Sequence, residues 1–172
     1  MGVITLLTGG VKSGKSAKAL ELCRPYAQKA FIATAEPFDD GMRQRIARHR
    51  AERDASFTTI EEPLNLARAL HQADASNAGV IVVDCLTLWL NNLLYHRGIT
   101  GSDADEIRAF LTALPRLRAD AVIVTNETNM GIMPIHKETR LYGDLLGALN
   151  QQTAALAHKV LFMVCGLPLS LK

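Results

Sequence analysis

Cysteine is scarce in this chain of 172 residues, which holds only three. Cys23, Cys85 and Cys165 are odd in number, far apart and set in apolar or helical contexts. They match no zinc spacing and no disulfide framework, so reduced structural thiols are expected. Long apolar runs are missing too: none reaches the roughly 20 residues of a membrane-spanning helix. The start, Met1-Gly2-Val3-Ile4, lacks the basic stretch of a secretory leader, and a cytoplasmic location is expected. No charge of one sign dominates. A net charge of +2 argues against a nucleic-acid partner. No repeat, low-complexity tract or Pro/Gly/Ser-rich linker divides the sequence, so one domain spanning residues 1–172 is expected.

What is present is a globular composition, 48% hydrophobic and 21% charged, with length enough for a substantial core. Nearly continuous apolar runs at 3–8, 30–33, 79–83, 121–125 and 159–164 read as strands buried on both faces. A further short strand is expected at 58–61 and an edge strand at 169–171. Helical patterns occupy 16–28, 40–53, 64–74, 103–114 and 139–157, with Pro115 ending the fourth. Residues 86–94 look like another helix, in which Trp89 is a packing residue. This βαβα order predicts an α/β fold, a mostly parallel sheet with helices on both faces. Ligands in such sheets sit beyond the carboxyl ends of the strands. The segments to search are therefore 9–16, 34–40, Asp84 and 126–134.

Gly9, Gly10, Val11, Lys12, Ser13, Gly14, Lys15 and Ser16 match the phosphate-binding pattern G-x-x-x-x-G-K-[ST] in full. Backbone N–H groups of such a loop, and the positive end of the next helix, face an anion. Lys15 is expected to reach the terminal phosphates of a nucleotide and Ser16 to coordinate Mg²⁺. The competing reading, a chance glycine-rich turn, is disfavoured by the strand before the motif and the helix after it. Asp84 ends the run Gly79-Val80-Ile81-Val82-Val83, where a second magnesium-binding carboxylate belongs; its rival role is a helix cap. The expected fold is accordingly a P-loop NTPase of RecA-like type.

If 40–53 is helical, Met42, Ile46, His49 and Arg53 share one face, with Arg45 and Arg50 flanking it. A histidine among arginines stays neutral, hence nucleophilic, more readily, and the arginines can hold phosphates. Composition alone favours a solvated basic helix with a partly buried histidine. The remaining histidines, at 71, 96, 136 and 158, have no ligand spacing. Asn126-Glu127 and the loop after it lie where a substrate-binding segment belongs, or an ordinary connection.

Taken together these segments resemble the bifunctional adenosylcobinamide kinase/adenosylcobinamide-phosphate guanylyltransferase family of cobalamin biosynthesis. The resemblance runs nearly end to end. It is carried by Leu7 to Ser16, Phe31-Ile32-Ala33-Thr34-Ala35, and Arg45-Ile46-Ala47-Arg48-His49-Arg50 with Arg53, which look like the signature R-I-x-x-H-R-x-x-R. Thr59-Ile60-Glu61-Glu62-Pro63, Asp84-Cys85-Leu86-Thr87, Val124-Thr125-Asn126-Glu127 and Val164-Cys165-Gly166-Leu167-Pro168 follow in the family's order. This reverses the preference for the bland reading of His49.

The resemblance implies two reactions. ATP or GTP phosphorylates the aminopropanol hydroxyl of adenosylcobinamide, and GTP then gives its GMP unit to that phosphate through a guanylylated histidine, which matches His49. It implies nucleotide contacts from residues 9–16, Ala33, Thr34, Ala35, His49, Arg50, Arg53, Glu61 and Asp84, magnesium at Ser16 and Asp84, and a homo-oligomer, a trimer in relatives. The chain departs from the family at Asn129, where a glycine is usual, and at Gly143, where an arginine is usual. Two other readings stay open: a monofunctional P-loop kinase for another small alcohol, and a P-loop NTPase acting as a switch on a macromolecule.

Overall fold

A computed structural model of the chain describes residues 1–51, 53–128, 130–131 and 133–172. Asn129, one of the two departures from the family pattern, and Ile132 in the same loop lie outside the described residues.

Seven strands form one sheet in the order β3-β2-β4-β5-β1-β6-β7. They are β1 (Ile4–Gly9), β2 (Lys29–Ala33), β3 (Phe57–Glu61), β4 (Val80–Asp84), β5 (Asp120–Val124), β6 (Lys159–Val164) and β7 (Leu167–Ser170). All neighbouring pairs are parallel except β6 with β7. The helices are α1 (Lys15–Leu22), α2 (Asp40–Ala51), α3 (Leu66–Ala75), α4 (Leu86–Arg97), α5 (Asp105–Ala113) and α6 (Lys137–Leu156). None is long and apolar enough, among the described residues, to cross a membrane.

The strands' two-residue period builds two cores. Ile4, Leu6, Ile32, Ile81, Val83, Ala121 and Ile123 point to the face covered by α3, α4, α5 and α6, where Trp89 and Phe110 are fully buried. Leu7, Phe31, Val80, Val82, Val122 and Val124 point to the opposite face, where α1 packs through Ala19 and Cys23. Trp89 also donates its indole N–H to the Leu64 carbonyl at 2.8 Å, so it is a packing residue with its polar edge satisfied.

Several element ends differ from the sequence reading. The helix expected over 16–28 stops at Leu22, and the chain turns at Cys23 before Pro25, which disfavours helix in the residue ahead of it. The helix expected over 103–114 runs from Asp105 to Ala113, and Pro115 lies in the short 3₁₀ turn Leu114–Arg116 that follows it. β6 is not buried on both faces, since Lys159 and Val164 are exposed next to the sheet edge. The last strand starts at Leu167 rather than at 169. Cys165 and Gly166 both have positive φ, 51° and 82°, which makes a tight two-residue hairpin and pairs Val164 with Leu167. Pro168 is tolerated because β7 is an edge.

Candidate active site

The loop after β1 is shaped by backbone that L side chains rarely adopt. Gly9 has φ +143° and Gly14, which caps α1, has φ +96°. A Cβ on Gly9 would lie 2.4 Å from the Met163 carbonyl, and one on Gly14 would lie 3.0 Å from the Gly166 Cα. The β6–β7 hairpin therefore braces the loop from below, and the Gly166 N–H donates to the Ser13 carbonyl at 3.1 Å. Gly10 and Val11 are exposed, and Lys12 is held at φ 58°.

Lys15 is buried, only 7% exposed. Its ammonium donates to the carbonyls of Gly9 (3.0 Å) and Gly10 (2.6 Å) and approaches the Ser13 hydroxyl at 3.4 Å. Burial lowers its pKa below the ordinary value; the charges of Cys85 and Asp84 oppose that shift, and Arg45 adds to it. Ser16 donates its hydroxyl to Asp84 Oδ2 at 3.3 Å.

Asp84 does not cap the next helix. Cys85 occupies that position, and the carboxylate of Asp84 turns toward Ser16 and His49. His49 Nδ1 lies 3.8 Å from Asp84 Oδ2, a charge–dipole distance rather than a hydrogen bond. Both side chains line a cavity of about 340 Å³. Its floor is Phe31, Ala33 and Ala35 at the end of β2, and its wall is α2, through Met42, Arg45, Ile46, His49 and Arg50. Arg53 and Glu61 complete that side. The face Met42–Ile46–His49–Arg53 read from the 3.6-residue period thus lines the cavity.

α2 itself buries no side chain. It starts at an Asp39 carboxylate that accepts the Met42 N–H at 2.6 Å, and it is tied to the sheet mainly by arginines. Arg50 pairs with Glu61 on β3. The Arg53 guanidinium sits 4.2 Å from the Phe31 ring centre, donates to the His49 carbonyl at 3.1 Å, and donates to the Thr59 hydroxyl at 3.1 Å. Burial, and then the charge of Arg50, lower the pKa of Arg53.

Thr34 lies beneath this cavity rather than in its lining. It is fully buried; its hydroxyl donates to the Cys85 carbonyl and accepts the Cys85 N–H, both at 2.8 Å, so it fixes the chain just after Asp84. Asn92, which the sequence reading did not single out, extends this support by donating to the carbonyls of Thr34 (2.7 Å) and Pro63 (3.2 Å). Leu88 was missed as a cavity residue, and Pro37 lines the cavity from within the searched segment 34–40 without having been singled out. Leu88 lies in the first turn of α4, which opens just past the carboxyl end of β4, and that position is the signal for it. The 126–128 stretch meets the P-loop: Glu127 donates its N–H to the Gly9 carbonyl at 3.1 Å, and Asn126 donates to the Thr87 hydroxyl at 2.8 Å.

The fold has distant structural relatives. An ATPase from the type III secretion system of pathogenic bacteria superposes with a TM-score of 0.58 at 9% identity, over 99% of this chain and 57% of the other. The type III secretion ATPase EscN of enteropathogenic Escherichia coli gives 0.56 at 11% identity, over 95% and 43%. The chain thus spans about half the length of these structures, and at such identities they establish the P-loop NTPase fold alone. Sequence relatives are nearer. The bifunctional adenosylcobalamin biosynthesis protein CobP of Pseudomonas aeruginosa is 41% identical over 168 residues, 97% of this chain and 96% of the relative. CobU of Escherichia coli, described in the same words, is 35% identical over 99% of this chain and all of the relative. The family model for cobinamide kinase / cobinamide phosphate guanyltransferase matches residues 5–171. The chain therefore belongs to the cobinamide kinase / cobinamide phosphate guanyltransferase family.

Proposed function

We propose that this one domain carries both reactions of its family: phosphorylation of adenosylcobinamide by ATP or GTP, then transfer of GMP from GTP to the resulting phosphate. What carries the reading is a single carboxylate. Asp84 Oδ2 faces the Ser16 hydroxyl on the P-loop side and His49 Nδ1 on the α2 side. A triphosphate held by the loop and a nucleophile on α2 would thereby share one site.

In the transfer reaction a lone pair of the His49 imidazole attacks the α-phosphorus of GTP. The bond to the bridging oxygen breaks, and pyrophosphate leaves with that electron pair. An oxygen of the acceptor's phosphate then attacks the same phosphorus, the phosphorus–nitrogen bond breaks, and the imidazole is released as adenosylcobinamide-GDP forms. Imidazole serves because it is both a good nucleophile and a good leaving group. Asp84 near Nδ1 favours the tautomer that leaves Nε2 free to attack. Arg45, Arg50 and Arg53 supply positive charge where the phosphate charge develops. Lys15 exchanges its carbonyl partners for phosphate oxygens when nucleotide binds.

A hydroxyl and a carboxylate on adjoining elements are the hard oxygen donors that suit Mg²⁺, which takes one or two protein ligands and fills the rest with water and phosphate oxygens. Ser16 and Asp84 would hold it, and when bound it neutralises charge on the phosphates. We infer that the protein works in the cytoplasm as a homo-oligomer, on small-molecule substrates rather than nucleic acid. The test separates the half-reactions. His49→Ala should abolish GMP transfer while phosphorylation of adenosylcobinamide stays within a few-fold of wild type. Loss of both activities in a folded variant would refute the division of labour.

A further inference from the structure

The acceptor is much larger than the site that must act on it. A corrin ring with its amide side arms does not enter a cavity of about 340 Å³ that a nucleotide also has to occupy. Only the aminopropanol phosphate arm fits inside, and the ring has to rest on protein surface next to the opening.

An apolar surface lies in that position. Pro37 lines the cavity, and the next residue, Phe38, is 54% exposed. Leu88 lines the cavity from α4, and Tyr95, two turns further on the same helix face, is 76% exposed. Seven residues of helix carry that face about 10 Å outward from the cavity. The two exposed rings meet edge to face with centroids 6.0 Å apart. Tyr95 also packs edge-on against His96 at 4.9 Å, and His96 Nε2 lies 2.8 Å from Glu36 Oε2. The loop carrying Phe38 is thus tied to the end of α4, and the two rings are held together before any ligand arrives. Two large aromatic side chains left in water beside a polar rim are unusual unless something covers them.

Resting on the proposed function, we infer that Phe38 and Tyr95 form the docking platform for the corrin ring of the acceptor, with the Glu36–His96 pair as its positioning brace. The flat ring stacks on the face of one aromatic and meets the edge of the other, its neutral amides meet the polar rim, and its phosphate arm extends past Pro37 and Leu88 toward His49. The nucleotide does not touch this platform.

The test uses the full-length enzyme with Phe38 and Tyr95 both changed to Ser, and reads the two stages of transfer apart. Formation of the GMP–enzyme from GTP alone should keep its rate and its GTP dependence. The KM for adenosylcobinamide phosphate in the discharge step should rise at least tenfold, with kcat recovered at saturating acceptor. The pair Phe38→Tyr with Tyr95→Phe, which keeps both rings, should restore the wild-type KM. An unchanged acceptor KM in the Ser variant overturns the inference. A raised GTP requirement in the first stage also overturns it, because the rings would then hold the base. A change in elution volume alone would assign the rings to contact between copies of the chain, and likewise overturns it. Wild-type enzyme that forms no GMP adduct would instead refute the function on which the inference rests. Should the double variant lose its thermal transition, Tyr95→Ser alone, at a site mostly in water, carries the same KM test.

Discussion

Lys15 and His49 belong to one site but are held in unlike ways. Lys15 is buried, bonded to two loop carbonyls, and set in a loop that the β6–β7 hairpin supports through Gly14 and Ser13. His49 rides on a helix with no buried side chain, attached to the sheet by the Arg50–Glu61 pair and by Arg53. The loop is built into the core, whereas the helix is pinned at its rim. Elements with few buried apolar contacts open at low free-energy cost. The phosphate-holding half is thus preorganised, and the half that carries the nucleophile depends on a few polar contacts for its position.

The largest effect should come from the rigid half. Lys15→Ala should lower GTP turnover in both reactions by orders of magnitude. Its fold should survive, because the Gly9 and Gly10 carbonyls keep second donors in the Glu127 and Ser13 N–H groups. A loss of about 1 kcal/mol in the melting transition is expected. Near-normal turnover would remove the P-loop from the mechanism.

A smaller, selective effect is expected at the rim. Arg53→Ala deletes three contacts that locate the end of α2, and GMP-adduct formation should slow on the order of tenfold, about 1.4 kcal/mol. Phosphorylation of the acceptor should change little. Arg53→Lys keeps the charge but not the planar stack on Phe31, and should recover only part of the rate. Equal loss in both reactions would show that α2 is no more loosely held than the loop.

The mildest change probes the carboxylate the two halves share. Asp84→Asn should raise the Mg²⁺ concentration for half-maximal activity several-fold in both reactions, measured by metal titration at fixed nucleotide. Metal dependence that stays fixed while adduct formation falls would assign Asp84 to His49 alone.

The same contrast explains what the sequence made legible. The P-loop could be read in full because its chemistry is local: glycines at fixed spacing, a strand before and a helix after. The sheet followed from apolar runs, and the cavity face of α2 from its helical period. Less local features were not readable. Thr34 looks like a strand-end ligand, but its hydroxyl serves the backbone of Cys85, 51 residues away in sequence. Asn92 looks like a surface residue on an apolar helix, yet it holds two carbonyls from different loops. Burial of Lys15 depends on the loop folding back over its own carbonyls, and periodicity carries no trace of that. The early end of α1 was written in Pro25, whose effect on the residue ahead of it outweighs the helical pattern around it.

Whether His49 becomes covalently guanylylated can be read directly, and without any corrinoid, from GTP labelled at the α-phosphate. Enzyme incubated with that nucleotide and Mg²⁺ should carry label through denaturing electrophoresis. The label should resist alkali, break in mild acid as a phosphorus–nitrogen bond does, and pass to product when adenosylcobinamide phosphate is added. It should be absent from His49→Ala. Label that persists in His49→Ala would put the nucleophile on another residue, and a wild-type enzyme that transfers GMP without ever becoming labelled would rule out the covalent intermediate.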